Sequence, residues 1–113
     1  MSHTFNGEHQ ILKIKFNNFT KIINLKLIGR IQIKNVLMAA IAANKSELDY
    51  KDIFNVISKL NPVKGRLEKI GRIRNQSRVI LDYAHTPEAL KTCLLNLKEQ
   101  FPNKRISLVF GCG

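Results

Sequence analysis

Cysteines and long apolar runs are both scarce in this sequence, and each scarcity excludes a class of protein. The two cysteines, Cys93 and Cys112, form neither a metal-ligand spacing nor a disulfide framework, so we expect two free thiols. No apolar run reaches the length that spans a membrane, and residues 1–10 are polar, without the apolar core of a signal peptide. The sequence therefore predicts a cytoplasmic protein with no membrane partner.

Acidic residues are few as well, since 8 Asp and Glu stand against 19 Lys and Arg, and the formal net charge is +11. Clustered cations bind nucleic acid because they release counterions from its phosphates. Here the lysines are scattered singly among apolar residues, as on solvated faces, and are not gathered in one block. We expect no nucleic-acid partner, and a stand-alone basic module for RNA or another polyanion remains the alternative.

Apolar residues make up 44% of the 113 residues, enough for one modest core, and their spacing divides the chain into elements. Alternating apolar residues predict a strand over residues 12–16, a turn, and a second strand over 19–28. A helix is predicted from Asn35, apolar nearly all round and therefore largely buried. A second helix is predicted over residues 50–60, with Asp49 as its cap.

Residues 62–65, Pro-Val-Lys-Gly, are the best candidate for a domain boundary because they are short and rich in turn-forming residues. After them we expect a hairpin of strands 66–70 and 78–82, then a helix over 87–100 and a second buried strand over 105–110. A strand, a helix and a strand in this order begin a right-handed parallel crossover, so the sequence predicts an α/β fold.

The segment Asp-Tyr-Ala-His-Thr-Pro-Glu-Ala-Leu at residues 82–90 carries the strongest functional signal. It places polar groups between the end of a buried strand and a helix that Thr86 can cap and Pro87 can begin. In open α/β sheets, ligands bind at the carboxyl ends of strands, and anionic groups lie near helix amino termini. Asp82 suits a ribose hydroxyl or a metal-bound water, and His85 could donate to a phosphate.

This segment resembles the opening of the carboxy-terminal domain of the Mur ligases, and it is most similar to the branch that adds the third amino acid of the peptidoglycan precursor. Residues 29–35 with 39–43 resemble the end of that family's central ATPase domain, Gly-Arg-Leu-Glu at 65–68 resembles its interdomain junction, and residues 109–113 resemble the next strand and glycine turn. The resemblance implies two parts. Residues 1–61 would be the end of the central ATP-binding domain, a hairpin with two helices, and 62–113 would be the first β-β-α-β of a Rossmann-like carboxy-terminal domain.

The resemblance also implies a set of nucleotide-binding residues: Asn35 toward the adenine, Arg66 toward the phosphates across the hinge, and Asp82 and His85 toward the nucleotide from the carboxy-terminal side. Each has a structural alternative, because Asn35 and Asp82 can cap helices, Arg66 can pair with Glu68, and His85 can pack in its loop. No catalytic residue and no metal ligand is assigned.

The pattern departs from the family at Gln32, where another asparagine is common. An amide one methylene longer leaves adenine contact at this position open.

The resemblance implies an ATP- and magnesium-dependent ligase in peptidoglycan synthesis, acting on UDP-N-acetylmuramoyl-dipeptide and an amino acid through an acyl phosphate. No glycine-rich loop ending in Lys-Thr or Lys-Ser occurs in the chain, and the family's magnesium-binding region is missing too, so we expect the chain alone to be inactive. Sister enzymes such as folylpolyglutamate or cyanophycin synthetases are an alternative, against which Tyr83 and Thr86 argue. The identity of the third amino acid does not follow from these residues.

Overall fold

The computed structural model describes residues 1–16 and 18–111, apart from the side chain of residue 75, so Cys112 lies outside the described residues. Two sheets and three α-helices follow in the order β1 Ser2–Asn6, β2 His9–Phe16, β3 Phe19–Leu25, α1 Arg30–Lys45, α2 Tyr50–Ile57, β4 Glu68–Arg72, β5 Arg78–Leu81 and α3 Pro87–Gln100, with a 3₁₀ turn at Arg74–Gln76. We call β1 to α2 the amino-terminal half and β4 to α3 the carboxy-terminal half, and residues 61–67 the junction. No helix in the described ranges is long and apolar enough to cross a membrane.

An antiparallel sheet in the order β1-β2-β3 forms one wall of the core. Side chains alternate along β2 and β3, and in this register Leu12 lies opposite Ile23 while Gln10 lies opposite Leu25. The inward face packs against α1 and α2. The buried core cluster consists of Leu12, Ile14, Ile23, Leu25, Leu27, Ile33, Val36, Ala40, Ile53, Phe54 and Ile57.

The predicted hairpin is thus confirmed, but β1 was not predicted. The sequence of β1, Ser-His-Thr-Phe-Asn, is mostly polar, and the strand pairs with β2 at the edge of the sheet, where only His3 and Phe5 are partly buried. Its stability depends on backbone pairing with β2, which the polar pattern does not reveal.

Helix α1 begins at Arg30, five residues before the predicted start, directly after Gly29. Asn35 therefore lies inside the helix, and its interpretation as a helix cap is wrong. The prediction of a largely buried helix is also wrong, because the side chains of Met38 and Ile41 are 68% and 54% exposed. The β1-β2-β3 sheet and α2 cover only one side of α1. The helix is therefore not buried all round, although its sequence is apolar nearly all round.

Helix α2 carries the predicted cap, since Asp49 Oδ1 accepts from the backbone N–H of Lys51 at 2.6 Å. It ends at Ile57, three residues before the predicted end, and Leu60 then packs beside the core as a partly buried side chain.

The carboxy-terminal half begins with the predicted hairpin of β4 and β5, which are antiparallel with an irregularity between Lys69 and Gly71. Strand β5 is not buried on both faces, because Leu81 is 50% exposed and Val79 and Ile80 are only partly buried. A sheet of two strands is too small to bury a strand on both faces.

Helix α3 has the predicted bounds, with Pro87 in its first turn and Thr86 Oγ1 accepting from the N–H of Ala89 at 3.2 Å. The strand predicted for residues 105–110 is not formed, and Val109 and Phe110 are 96% and 67% exposed. A parallel strand needs a neighbour to supply its hydrogen bonds, and among the described residues β5 pairs with β4 alone. The described carboxy-terminal half is therefore β-β-α, without the predicted final strand.

Candidate functional site

A cleft of about 700 Å³ opens between α1, the junction, the end of β5 and the first turns of α3. Both halves of the chain contribute to it. Its polar and ionisable lining residues are Gln32, Asn35, Asn61, Arg66, Asp82, Glu88, Thr92 and Cys93, and its apolar lining includes Leu27, Ile31, Val36, Leu60, Val63 and Leu67. The cleft has the size and the mixed lining of a small-molecule site.

Helix α1 supplies two side-chain amides to this cleft. Gln32 and Asn35 are three residues apart, a spacing that places them on the same helix face. Asn35 Nδ2 donates to Gln32 Oε1 at 3.5 Å, and Gln32 Nε2 donates to the carbonyl oxygen of Arg66 at 3.1 Å. Amides that donate and accept in one plane suit a heteroaromatic base.

The junction places Arg66 at the cleft in an unusual backbone conformation. Gly65 and Leu67 on either side of it have positive φ values of 69° and 46°. The Gly65 carbonyl accepts from the N–H of Tyr83 at 2.8 Å, while its N–H donates to Glu68 Oε2 at 2.8 Å. Leucine with positive φ is strained by about 1–2 kcal/mol, so the surrounding contacts must hold it there.

The guanidinium of Arg66 does not pair with Glu68, because that carboxylate bonds to the junction backbone instead. Its Cζ atom lies 5.7 Å from the centroid of the Tyr83 ring. No ion pair involves Arg66 within the part of the chain that the structure describes. The interpretation of Arg66 as a structural partner of Glu68 is therefore wrong, and the charge remains free to meet an anion.

Asp82 lines the cleft, but it also has a structural task. Its Oδ2 atom accepts from the N–H of Leu67 at 2.8 Å and its Oδ1 atom from the N–H of Ala84 at 2.9 Å. Asp82 does not cap α3, since Thr86 does so, and that alternative is wrong. Each oxygen keeps a further lone pair that a ligand hydroxyl could use.

His85 is the predicted site residue that the structure does not bring to the cleft. Its side chain is exposed, Nδ1 lies 3.1 Å from the carbonyl oxygen of Tyr83, and the two rings lie 5.0 Å apart. Of the four predicted residues, Asn35, Arg66 and Asp82 lie around one cleft.

Three cleft residues on α3, Glu88, Thr92 and Cys93, were not predicted. Glu88 and Thr92 are four residues apart and therefore lie on one face of the helix, with Cys93 next to Thr92. The correct start at Pro87 contained the signal needed to find that face. Burial, with a smaller contribution from the negative charge of Asp82, raises the pKa of the Cys93 thiol to about 11. Among the described residues, no group of three His, Cys, Asp or Glu side chains could hold a metal ion.

One acidic residue joins the two halves of the chain. The carboxylate of Glu8, in the β1–β2 turn, bonds to Arg72 at 2.9 Å, to Arg78 at 2.5 Å and to Lys69, all from the β4–β5 hairpin. The bonds from Lys69 and Arg78, with a smaller one from Arg72, lower the pKa of Glu8 to about 2 against the opposing effect of burial.

A second set of contacts joins α1 to α3. Gln100 Oε1 accepts from the N–H of Gly29 at 2.8 Å, and Asn96 Oδ1 accepts from the N–H of Ile31 at 2.9 Å. The buried Gln10 side chain donates to the carbonyl oxygens of Leu27 at 2.6 Å and Gly29 at 3.0 Å. Side chains of α3 thus satisfy the first amide groups of α1, and this fixes the two helices that border the cleft.

Comparison with known proteins found similar sequences and structures. The family described as "Mur ligase, glutamate ligase domain" matches residues 65–113. A UDP-N-acetylmuramoyl-L-alanyl-D-glutamate--2,6-diaminopimelate ligase of Rickettsia felis is 36% identical over 95% of this chain and 22% of its own length. The enzyme of that name from Buchnera aphidicola is 42% identical over 81% of this chain and 18% of its own. The chain therefore spans about a fifth of the length of these curated relatives.

Solved structures show a similar fold. A UDP-N-acetylmuramate-alanine ligase from Thermotoga maritima aligns with a TM-score of 0.72 over 90% of this chain and 24% of its own, at 22% identity. A pseudomurein peptide ligase from Methanothermus fervidus aligns with a TM-score of 0.63 over 88% of this chain and 19% of its own, at 27% identity. The α/β arrangement of both halves is therefore shared with ligases of this kind.

Proposed function

We propose that this chain forms the hinge region of an ATP-dependent, amide-forming ligase, because residues 65–113 match the Mur ligase family model and a ligase relative is similar over 95% of the chain. The proposed enzyme is cytoplasmic and adds the third amino acid to UDP-N-acetylmuramoyl-dipeptide. Diaminopimelate is the proposed amino acid, because the names of the similar ligases specify it.

The observation that carries the proposal is the shared cleft. Amides of α1, the guanidinium of Arg66 and the carboxylate of Asp82 come from separate parts of the sequence and line one space. In the proposed role, Asn35 faces the adenine, Asp82 the ribose, and Arg66 the phosphates, to which a guanidinium can donate two bonds. His85 is exposed and outside the cleft lining, so its proposed contact is with a part of the nucleotide that extends out of the cleft.

The proposed domain boundary lies at residue 62. Two features support it: the family match begins at residue 65, and the junction joins two separate sheets. Residues 1–61 would be the end of the central ATP-binding domain and residues 62–113 the start of the carboxy-terminal domain. The cleft would then lie between domains, a common position for ligand sites.

ATP is the proposed cofactor, and the lining of the cleft fits its adenosine side and one phosphate contact. Magnesium is implied by the family, but the described residues offer it no ligand group, so this chain's own contribution is to hold the nucleoside. A bound metal would supply charge stabilisation at the phosphates. The chain's residues would orient the nucleotide and bring the two halves together around it.

Protection of Cys93 tests the proposal, because this thiol lines the cleft. The chain is treated with iodoacetamide at pH 9 with and without ATP, and mass spectrometry follows the Cys93 peptide. We expect ATP and adenosine to slow the labelling of Cys93, and we expect guanosine to have a smaller effect. Labelling of Cys93 that ATP leaves unchanged at every concentration tested would contradict a nucleotide in the cleft.

A further inference from the structure

The side chain of Gln32 connects α1 to the junction at the cleft. Its Nε2 atom donates to the carbonyl oxygen of Arg66 at 3.1 Å, across 34 residues of sequence. Gln32 lies in the first turn of α1. Its Oε1 atom accepts from Asn35 Nδ2 at 3.5 Å, so both ends of the amide have a partner.

The neighbouring atoms of the junction are already held by the carboxy-terminal half. The N–H of Leu67 donates to Asp82, and the carbonyl of Gly65 accepts from the N–H of Tyr83. The Arg66 carbonyl is the junction group that the amino-terminal half holds, through Gln32. The peptide planes on both sides of Arg66 are therefore fixed, while its guanidinium stays exposed to the cleft.

We propose that Gln32 is a positioning residue for Arg66: it holds the Arg66 carbonyl and so sets the direction from which the guanidinium reaches the phosphates of a nucleotide. The inference rests on the proposed function, since it takes those phosphates as the ligand of Arg66. The residue type suits the task, because an amide can accept from Asn35 and donate to a carbonyl at the same time.

Methionine at position 32 keeps the length of the side chain and removes the donor without adding charge. Gln76 offers the matched control. It lies in the 3₁₀ turn, it is not among the residues that line the cleft, and its Oε1 atom accepts from Arg72. The variants Gln32→Met, Arg66→Ala, their combination and Gln76→Met are titrated with ATP and with adenosine by calorimetry, and thermal melts confirm that each is folded.

We expect Gln32→Met to weaken ATP binding about two- to tenfold, the range that one ordinary hydrogen bond supports, and to leave adenosine binding unchanged. In the Arg66→Ala background the same substitution should have no further effect on ATP binding, because the guanidinium that Gln32 positions is gone. Trypsin should also cleave after Arg66 faster in Gln32→Met, while cleavage after Arg74 stays the same.

Three results would overturn the inference, and they differ in whether the proposed function also fails. Equal losses for ATP and adenosine would make Gln32 a direct base contact. A harmless Gln32→Met beside a harmful Arg66→Ala would remove the positioning role and leave the proposed function standing. If Arg66→Ala itself binds ATP normally, the proposed phosphate contact fails and the inference fails with it.

Discussion

Glu8 is the single residue with the most ionic partners in the described chain, three cations of the β4–β5 hairpin. Its pKa of about 2 lies below the ordinary 4.5, so the folded state favours the charged form. The resulting stabilisation is present above pH 4.5 and is lost as the pH falls from 4.5 toward 2. Solvent reaches these partners, so we expect about 1–2 kcal/mol from the three bonds together, not the full value of the pKa shift.

The substitution Glu8→Gln should lower the free energy of unfolding by about 1–2 kcal/mol at pH 7, because it removes the charge that the three cations stabilise. Urea denaturation at a series of pH values measures it, and the difference from wild type should shrink below pH 4.5. Glu47→Gln is the control, since Glu47 forms no ion pair with the residues that the structure describes. A difference that stays constant down to pH 3 would show that Glu8 acts through packing and not through its charge.

Residues whose partners are close in sequence were predictable. Asp49 and Thr86 cap their helices as expected, because a cap bonds to a backbone N–H two or three residues away. Glu8 and Gln100 were missed because their partners lie 61 to 93 residues away. A polar side chain gives no sign in the sequence of which distant group it will meet.

At the scale of elements, the docking of α1 against α3 depends on the absence of a side chain at Gly29. Its φ is 87°, and a Cβ atom there would lie 2.7 Å from Leu67 Cδ1 and 3.1 Å from Asn96 Oδ1. Leu67 belongs to the junction, and Asn96 belongs to α3. The close approach lets Asn96 and Gln100 bond to the first amides of α1.

Gly29→Ala should therefore lower the free energy of unfolding by about 2–4 kcal/mol, the sum of backbone strain and overpacking. Gly71→Ala is the matched control, because a Cβ atom at Gly71 has no neighbour within 4 Å. Chemical denaturation of both variants gives the comparison. Equal, small effects at the two positions would mean that α1 and α3 are not packed as described.

Elements with a complete local signal were predicted well, and α3 is the clearest case, from Thr86 through Pro87 to Gln100. The start of α1 was missed because distant α3 side chains, not a local cap, satisfy its first amides. The strand expected at residues 105–110 was wrong because an apolar β-branched run becomes a strand only beside a pairing strand.

At the scale of the whole chain, the candidate site could be predicted only through resemblance. Periodicity placed Asn35 on a helix and Asp82 after a strand, but it could not place them around one cleft. The four motifs at residues 29–35, 65–68, 82–90 and 109–113 carried that information. The position of Arg66 at the cleft, free of Glu68, became evident only with the junction backbone.

These 113 residues contain no glycine-rich loop ending in Lys-Thr or Lys-Ser, so we predict that the purified chain releases no phosphate from ATP. Loss of one transition-state donor costs about 10² to 10³ in rate, and here a whole cradle is missing. A phosphate-release assay on the purified chain measures this. Release that copurifies with the chain and disappears in Arg66→Ala would contradict the prediction.

The central claim is that the cleft between α1 and α3 holds the adenosine side of ATP, and an NMR titration of the ¹⁵N-labelled chain with ATP tests it most directly. The account predicts that the side-chain amides of Gln32 and Asn35 and the backbone amides of residues 65–67, 82 and 88–93 shift together along one saturation curve. Resonances of β1 should stay unchanged. Shifts scattered over the lysine-bearing surface, reproduced by tripolyphosphate and abolished by salt, would contradict it and would favour a general polyanion-binding module.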